Sequence, residues 1–575
     1  MGVLPRLGEC MYLLGVWDGH DSGAALIEGN KILYAANEER FTGRKLEVAF
    51  PRKSISAALE YTGLKPGDIE VVAFPTTELT KTISRIFPWQ KENYYKFRRR
   101  KMLKPRLETL MRFTKYSMTT IGRIPLSATI SNFAVSREMR RIGFSDFKIF
   151  PVEHHTAHAA TAAFTSGHKK GLVVTIDGLG DGLSGSISSF ANGSLERLAE
   201  IPARDSIGIF YEQVTNILGM RELEDEGKVM AMADYSFPFK FEENKLKDFF
   251  EVKDCSILAK YGPLKQYDAL NRISWSMPRE QFAYMAQQLL EHVLQQFFAQ
   301  LHERYGFSNL SLSGGIMSNV KANMKIRELD LFNSIYVFPH MGDGGIALGA
   351  AMWANYELNG VSAYDFNIYL GDEYDEDNIL SMLRKEKGID FALESDTHSH
   401  AAELIEKDNY IFWYSGRMEY GPRALGNRSI LAKADSETVK EKLNIMVKQR
   451  EWFQPFAPSM LQEDASKLLE DVKEYNKFMT MAYRVKKGRS EIMRSVMHVD
   501  MTARPQMVGN ENRQYRGILS GVKKESGYGV LLNTSFNIHG QPIVRTPEDA
   551  IDTMKKTKTK YMFLNGFFVE NKLSR

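Results

Sequence analysis

Apolar and polar residues follow two periods along this chain. Short apolar runs that stop at a glycine-bearing turn predict strands, and apolar positions three to four apart predict helices. The run from Tyr12 to Trp17 halts at Asp18-Gly-His-Asp-Ser-Gly, resumes as Ala-Ala-Leu-Ile, turns at Glu-Gly-Asn and resumes as Lys-Ile-Leu-Tyr-Ala-Ala. That is a hairpin with a glycine in its connection. PRKSISAALEYTG reads as a helix leading into the strand IEVVAFP. FKIFPVEHHTAHAATAAF reads as strand into helix, and LVVTIDGLGDGLSGSISSF as strand, glycine loop, strand. NLSLSGGIMSNVKANMKI and SIYVFPHMGDGGIALGAAMWANYEL both read as strand, glycine loop, helix. The long stretch FAYMAQQLLEHVLQQFFAQLHERYGF has helical spacing of the kind that packs a core.

Past a polar connection at about 360–400 the text changes. A strand (NYIFWYSG), a helix (SETVKEKLNIMVKQRE), a proline-rich turn (WFQPFAPSM), the strand-like FMTMAYRV and a last helix (TPEDAIDTMKK) follow. The pattern predicts an α/β protein with one domain over 1–370 and a compact α+β domain over 395–575, built around a basic pocket.

Composition narrows the function classes. A chain of 575 residues is too long for one core, and 43% hydrophobic with 25% charged residues excludes disorder. A net charge of +4 gives no global reason to bind nucleic acid. Cys10 and Cys255 form no CxxC pair, which argues against a disulfide framework or a thiolate zinc site and suits a reducing cytoplasm. No run approaches the roughly 20 apolar residues of a membrane span, so a cytoplasmic protein is expected. One local exception is an insertion at about 80–124, where Lys91–Lys115 holds ten Lys/Arg and two Glu. The main expectation is a solvated amphipathic hairpin; the alternative is a basic patch for an anionic substrate or membrane surface.

Four junctions carry the candidate chemistry: Asp18-Gly-His-Asp-Ser-Gly, Asp177-Gly-Leu-Gly-Asp-Gly, Ser313-Gly-Gly-Ile-Met-Ser-Asn and Gly342-Asp-Gly-Gly. Glycine at a strand end lets backbone N–H groups approach a phosphate. In this order the junctions resemble the loops of actin-like ATPases, with Asp18 and Gly178 in phosphate loops and Gly314, Gly315 and Asn319 in an adenosine loop. His154 and His158 stand at i and i+4, so both imidazoles leave one helix face. With Asp177 and Asp343 they form a candidate nitrogen and oxygen ligand set that favours iron, manganese or zinc over magnesium.

HHTAH beside such loops resembles the Kae1 and HypF proteins. GHDSGAAL, EERFTGRK and GKVMAMA, then GPRALGNRSIL, NIMVKQREWFQPFAPS, HVDMTARPQMV and LLNTSFNIHGQPIV, resemble the O-carbamoyltransferases of the nodulation-protein, cephalosporin and tobramycin type. The resemblance spans nearly the whole chain. It implies an actin-like (Kae1-like) first domain and a YrdC-like second domain. The second would make carbamoyl-adenylate from ATP, carried with Mg, and carbamoyl phosphate. The first would transfer the carbamoyl group to a small-molecule hydroxyl with the aid of a divalent metal, iron before manganese or zinc. In those terms Arg423, Lys448, Arg450 and Arg504 supply fixed positive charge for phosphates. Arg40, Lys45, Arg417, Asn533, Ser535 and Asn537 contact the adenylate. His20 is either the general base or a phosphate-positioning group.

Family members commonly continue Lys-His-Asp after EERF, whereas this chain reads Arg44-Lys45-Leu46-Glu47. Carbamoyl transfer to tRNA and a plain actin-like ATPase are the rival readings. No nucleic-acid partner is expected, and a homodimer is left open.

Overall fold

The computed structural model describes residues 11–102 and 108–574. The chain divides into one unit of residues 1–38 and 46–366 and a second of 39–45 and 367–575. That segment 39–45 belongs with the second unit was not legible in the pattern.

The first unit contains two sheets of one design. Strands β1 (Tyr12–Trp17), β2 (Gly23–Glu28), β3 (Lys31–Asn37), β4 (Val71–Pro75) and β5 (Lys148–Val152) lie in the order β3-β2-β1-β4-β5. Strands β6 (Lys170–Gly180), β7 (Leu183–Ala191) and β8 (Ser194–Pro202) follow, then a small hairpin of β9 (Phe250–Lys253) and β10 (Ser256–Ala259). With β11 (Asn309–Ser313) and β12 (Ser334–Val337) the second sheet is ordered β12-β11-β6-β7-β8. In both sheets the first three strands are an antiparallel meander, and the last two run parallel to the first. A doubled α/β sheet of this order is the actin-like arrangement.

Two helices lie between the sheets. Helix His154–Thr165 follows β5 of the first sheet yet packs on β6 and β11 of the second, while helix Ile346–Asn359 follows β12 and packs back on β1, β2 and β4. The first is rich in alanine, a strong helix former that also permits close approach. A Cβ on Gly349 would lie 2.0 Å from the carbonyl oxygen of Ala157, so the contact needs glycine. Strands covered on both faces must be apolar throughout, as β1 and β4 are.

The two expected phosphate loops are tight hairpin turns. The second differs in detail: β6 runs through Asp177 to Gly180 before it turns, rather than ending at Asp177.

The second unit is a mixed sheet of β13 (Ile389–Leu393), β14 (Ile411–Tyr414), β15 (Arg428–Lys433), β16 (Ala457–Leu461), β19 (Gln506–Val508), β20 (Val530–Ser535), β21 (Tyr561–Leu564) and β22 (Phe567–Asn571). A two-stranded ribbon, β17 (Tyr483–Arg484) with β18 (Thr502–Ala503), completes it. FMTMAYRV therefore contributes only two strand residues, because its N-terminal half is held by Asn476 in a bend. Helices Thr397–Glu406 and Arg513–Ser526 cover one face, where Trp413, Leu431, Leu531 and Tyr515 form the core.

Candidate functional site

His154 and His158, one turn apart, come together with Asp177 and Asp343, with one donor atom of each inside 4.8 Å. Nε2 of His154 lies 3.1 Å from Oδ2 of Asp177 and 3.6 Å from Oδ1 of Asp343. Nε2 of His158 lies 4.0 and 3.5 Å from the same two atoms. Metal–ligand bonds near 2.1 Å place neighbouring ligand atoms roughly 3–3.5 Å apart, so the donor set fits a divalent cation. His154, His158 and Asp343 are buried and the Asp177 side chain is 13% exposed, and His158 Nε2 and Asp343 Oδ1 have no hydrogen-bond partner. Burial pushes the His154 imidazole down, but Asp343 and Asp177 override it and raise it to about 10. Burial likewise opposes ionisation of Asp177, which His154 and His158 nonetheless hold well below the usual carboxylate range.

Surrounding groups fix these donors. Glu153 caps the histidine helix by accepting from the His155 and Thr156 amides. Nδ1 of His158 meets Ser313 Oγ at 3.2 Å, which aims Nε2 at the carboxylates. The Gly315 amide donates to Asp177 Oδ1 at 2.9 Å. Gly314 has φ +99° and a Cβ there would lie 2.3 Å from the Ile176 carbonyl oxygen, so this turn requires glycine. His155 plays no part, its Nδ1 being held by Thr175 Oγ1 at 2.9 Å.

A cavity of about 1110 Å³ opens beside the donors. His20 lines it, with Nδ1 3.4 Å from Asp343 Oδ2, and burial pushes its imidazole down to about 4. It is therefore neutral at pH 7. Gly178 also lines it. Asp18 does not face it as a bare carboxylate: Arg85 donates to both its oxygens, at 2.9 and 3.0 Å, and Lys91 donates to its carbonyl at 2.7 Å. Asn319 caps the helix Val320–Glu328 and pairs with Gln287, a structural task.

The expected solvated hairpin is corrected in part. Lys91, Arg98 and Arg99 of the insertion are buried. Arg98 bridges Glu212 and Glu222, and Arg99 donates to the Leu46 carbonyl at 2.7 Å. The partners Glu212 and Glu222 lie more than a hundred residues away, beyond any local pattern. The same insertion supplies cavity residues missed in the sequence, notably Lys81, Tyr94, Tyr95 and Lys115. Lys81 sits over the Trp17 ring at 3.9 Å, and burial pushes its ammonium down to about 7. Its only signal was the i, i+4 relation to Arg85.

In the second unit the cations Arg423, Lys448, Arg450 and Arg504 cluster. Burial and then Arg423 and Arg450 push Arg504 well below its ordinary value, and burial with Arg450 and Lys45 does the same to Lys448. Burial lowers Arg423 and Arg450 to about 10. Buried nitrogens of Arg450 and Arg504 have no hydrogen-bond partner. Arg450 stacks on Phe456 at 3.8 Å. The Lys448 ammonium donates to the Ser535 carbonyl and to Asn537 Oδ1. Arg40 donates to the Gly421 carbonyl at 2.7 Å and keeps Nη1 without a partner.

Two expected contact residues, Arg417 and Asn533, and their neighbour Arg428 have partners within the protein. Arg417 donates to the Leu370 and Gly371 carbonyls, at 2.7 and 3.1 Å. Asn533 ties Ala424 to Ser459 through its amide nitrogen, although its Oδ1 is left over. Arg428 is 0% exposed, lies 3.5 Å over Tyr414 and donates to the carbonyls of Ser415, Gly416 and Asn427.

Comparison with known proteins gives two family matches. Residues 12–352 match the family described as carbamoyltransferase N-terminus, and residues 402–571 that described as carbamoyltransferase C-terminus. The nodulation protein NolNO of Sinorhizobium fredii is 31% identical over 96% of this chain and 79% of its own length. Protein MJ1058 of Methanocaldococcus jannaschii is 37% identical over 77% of each chain. The 3'-hydroxymethylcephem-O-carbamoyltransferase of Streptomyces clavuligerus is 35% identical over 42% of this chain and 45% of its own. The chain belongs to the carbamoyltransferase family and is a transferase.

Proposed function

We propose that the protein is an ATP-dependent O-carbamoyltransferase acting on a hydroxyl of a small molecule, a sugar or natural product. The observation that carries the activation half is the group of mutually repelling cations Arg423, Lys448, Arg450 and Arg504, whose burial demands an anion of high charge. In the second unit, read as YrdC-like, water releases phosphate from carbamoyl phosphate. The carbamate oxygen then attacks the α-phosphorus of ATP, and pyrophosphate leaves. Arg504, Arg423 and Arg450 neutralise the charge that develops on the phosphates. Lys448, held by Ser535 and Asn537, fixes the carbamoyl end, with Lys45 beside it, and Arg40 offers its unpartnered Nη1 as a further donor.

The first unit carries out transfer. The acceptor oxygen attacks the carbamoyl carbon, the bond to AMP breaks, and the hydroxyl proton passes to a base. His20 faces the cavity, is neutral at pH 7 and is oriented by Asp343, so it can take that proton. A divalent ion, iron before manganese or zinc, would be held by His154, His158, Asp177 and Asp343 and would supply Lewis acidity toward the carbamoyl oxygen. A cytoplasmic site is consistent with the absence, among the described residues, of any helix long and apolar enough to cross a membrane.

The test adds ATP and carbamoyl phosphate, then a panel of sugars and alcohols alongside bulk tRNA. AMP release with a carbamate ester on a small molecule is expected. Carbamoylation of tRNA alone overturns the acceptor class proposed here.

A further inference from the structure

The charge of this chain is distributed unevenly. Residues 79–141 hold sixteen Lys/Arg against three Asp/Glu, a surplus of thirteen, whereas the whole chain carries +4 and the remainder therefore nets −9. The same stretch holds eight of the twenty-two exposed large apolar side chains among the described residues. Phe87 and Trp89, 44% and 61% exposed, sit where helix Leu79–Ile86 gives way to helix Pro88–Arg98.

Helix Pro125–Arg141 shows the arrangement within one element. Its buried face is Ser127, Ser131, Ala134, Val135 and Met139, and Ser127 and Ser131 bond to Thr82 of the helix Leu79–Ile86. At 100° per residue, Leu126, Phe133, Arg137 and Arg140 share a narrow stripe on the opposite face. All four are exposed, Leu126 at 66% and Phe133 at 65%. Two large apolar groups at one end of a stripe and two arginines at the other cost apolar surface in water without packing anything.

Interior pairing accounts for only part of the charge. Lys81, Arg85, Lys91, Arg98 and Arg99 turn inward, whereas Arg123, Arg137 and Arg140 remain exposed, Arg137 with Glu138 3.7 Å away. Exposed aromatics set among exposed arginines match an anionic bilayer, whose headgroups take the cations and whose acyl boundary takes the rings. A nucleic acid would meet the arginines but has no comparable use for Leu126 and Phe133.

We propose that helix Pro125–Arg141, with Phe87 and Trp89 just past the helix Leu79–Ile86 that packs on it, is a membrane-docking face that binds anionic lipid surfaces peripherally. It lies beside the cavity, since Ile83, Ser84 and Gln90 line that cavity and flank the exposed Phe87 and Trp89. The inference does not depend on the reaction carried out in the cavity.

Vesicle co-sedimentation tests it on the full chain. Vesicles of phosphatidylcholine with about one third phosphatidylglycerol, the regime in which each surface Lys/Arg adds to binding, should retain the protein, and vesicles of phosphatidylcholine alone should not. Replacing Arg137 and Arg140 by Glu should weaken the partition coefficient by about fivefold per residue at least. Leu126→Ser with Phe133→Ser should weaken it independently of salt. All four positions are exposed, so circular dichroism and thermal melting should stay unchanged and show that the variants fold. Equal binding to neutral and anionic vesicles, or binding unmoved by both variant pairs, overturns the proposal. So does displacement from vesicles by equimolar RNA with the Leu126 and Phe133 variant binding RNA as the parent does, which would make the face a nucleic-acid surface.

Discussion

Nε2 of His158 stands 3.5 Å from Oδ1 of Asp343 inside the first unit, and neither atom has a hydrogen-bond partner. Two buried polar atoms left in this way would each cost about 1–3 kcal/mol. A cation shared between them removes that cost, and this is the strongest physical reason to place a metal at this point.

Metal content follows from it. Purified protein should carry about one divalent ion per chain, by elemental analysis, since the cluster offers one site of four donors. His158→Ala should lose most of it. Chelation should lower the melting temperature of the parent but not of the variant, because a ligand bound only to the folded state stabilises it by about 2.7 kcal/mol at a hundred times its Kd. Equal melting of parent and chelated parent would argue that the donors are only a hydrogen-bonded core.

The pair Asp18–Arg85 predicts an acid-dependent stability. Burial opposes ionisation of Asp18, yet Arg85, Lys81 and Lys91 together hold its carboxyl well below the ordinary value. A carboxylate depressed in the folded state stabilises above its unfolded pKa, near 4, and the contribution fades as pH falls toward the folded value. Asp18→Asn leaves a buried guanidinium without its counter-charge and should cost about 3–5 kcal/mol at neutral pH. Denaturant unfolding of both proteins from pH 7 down to pH 3 should show that gap shrink only at the acid end.

Arg428 is a pillar of the second unit. Its loss strands the carbonyls of Ser415, Gly416 and Asn427 in the interior. Arg428→Met should therefore destabilise the unit by about 3 kcal/mol or more, read by denaturant unfolding. A soluble, fully stable Arg428→Met that fails only in phosphate binding would contradict this assignment.

What could be read from the sequence had short range. The histidine pair needed only helical spacing, and the strand-to-glycine junctions needed only an apolar run and a turn. Residues whose partners are distant in sequence give no local sign of them. Asp18 resembles a phosphate-loop aspartate until Arg85, sixty-seven positions on, is seen to occupy it. Asn319 resembles an adenosine contact but caps its own helix, and its other partner is Gln287. The basic run was read as a solvated face because a charge count reports sign and number but not the Glu212 and Glu222 that take Arg98 inward. Segment 39–45 gave no sign of its place because Arg40 bonds a carbonyl, Gly421, that no motif marks.

The most direct test of two-step carbamoyl transfer is the product of ATP and carbamoyl phosphate without acceptor, identified by mass spectrometry for the parent, Arg504→Ala and His154→Ala. The parent and His154→Ala should both yield carbamoyl-adenylate and pyrophosphate, while Arg504→Ala should do so about a hundredfold more slowly or worse. Release of ADP and phosphate without any adenylate, or full activity in Arg504→Ala with none in His154→Ala, would contradict the account and leave an actin-like ATPase in its place.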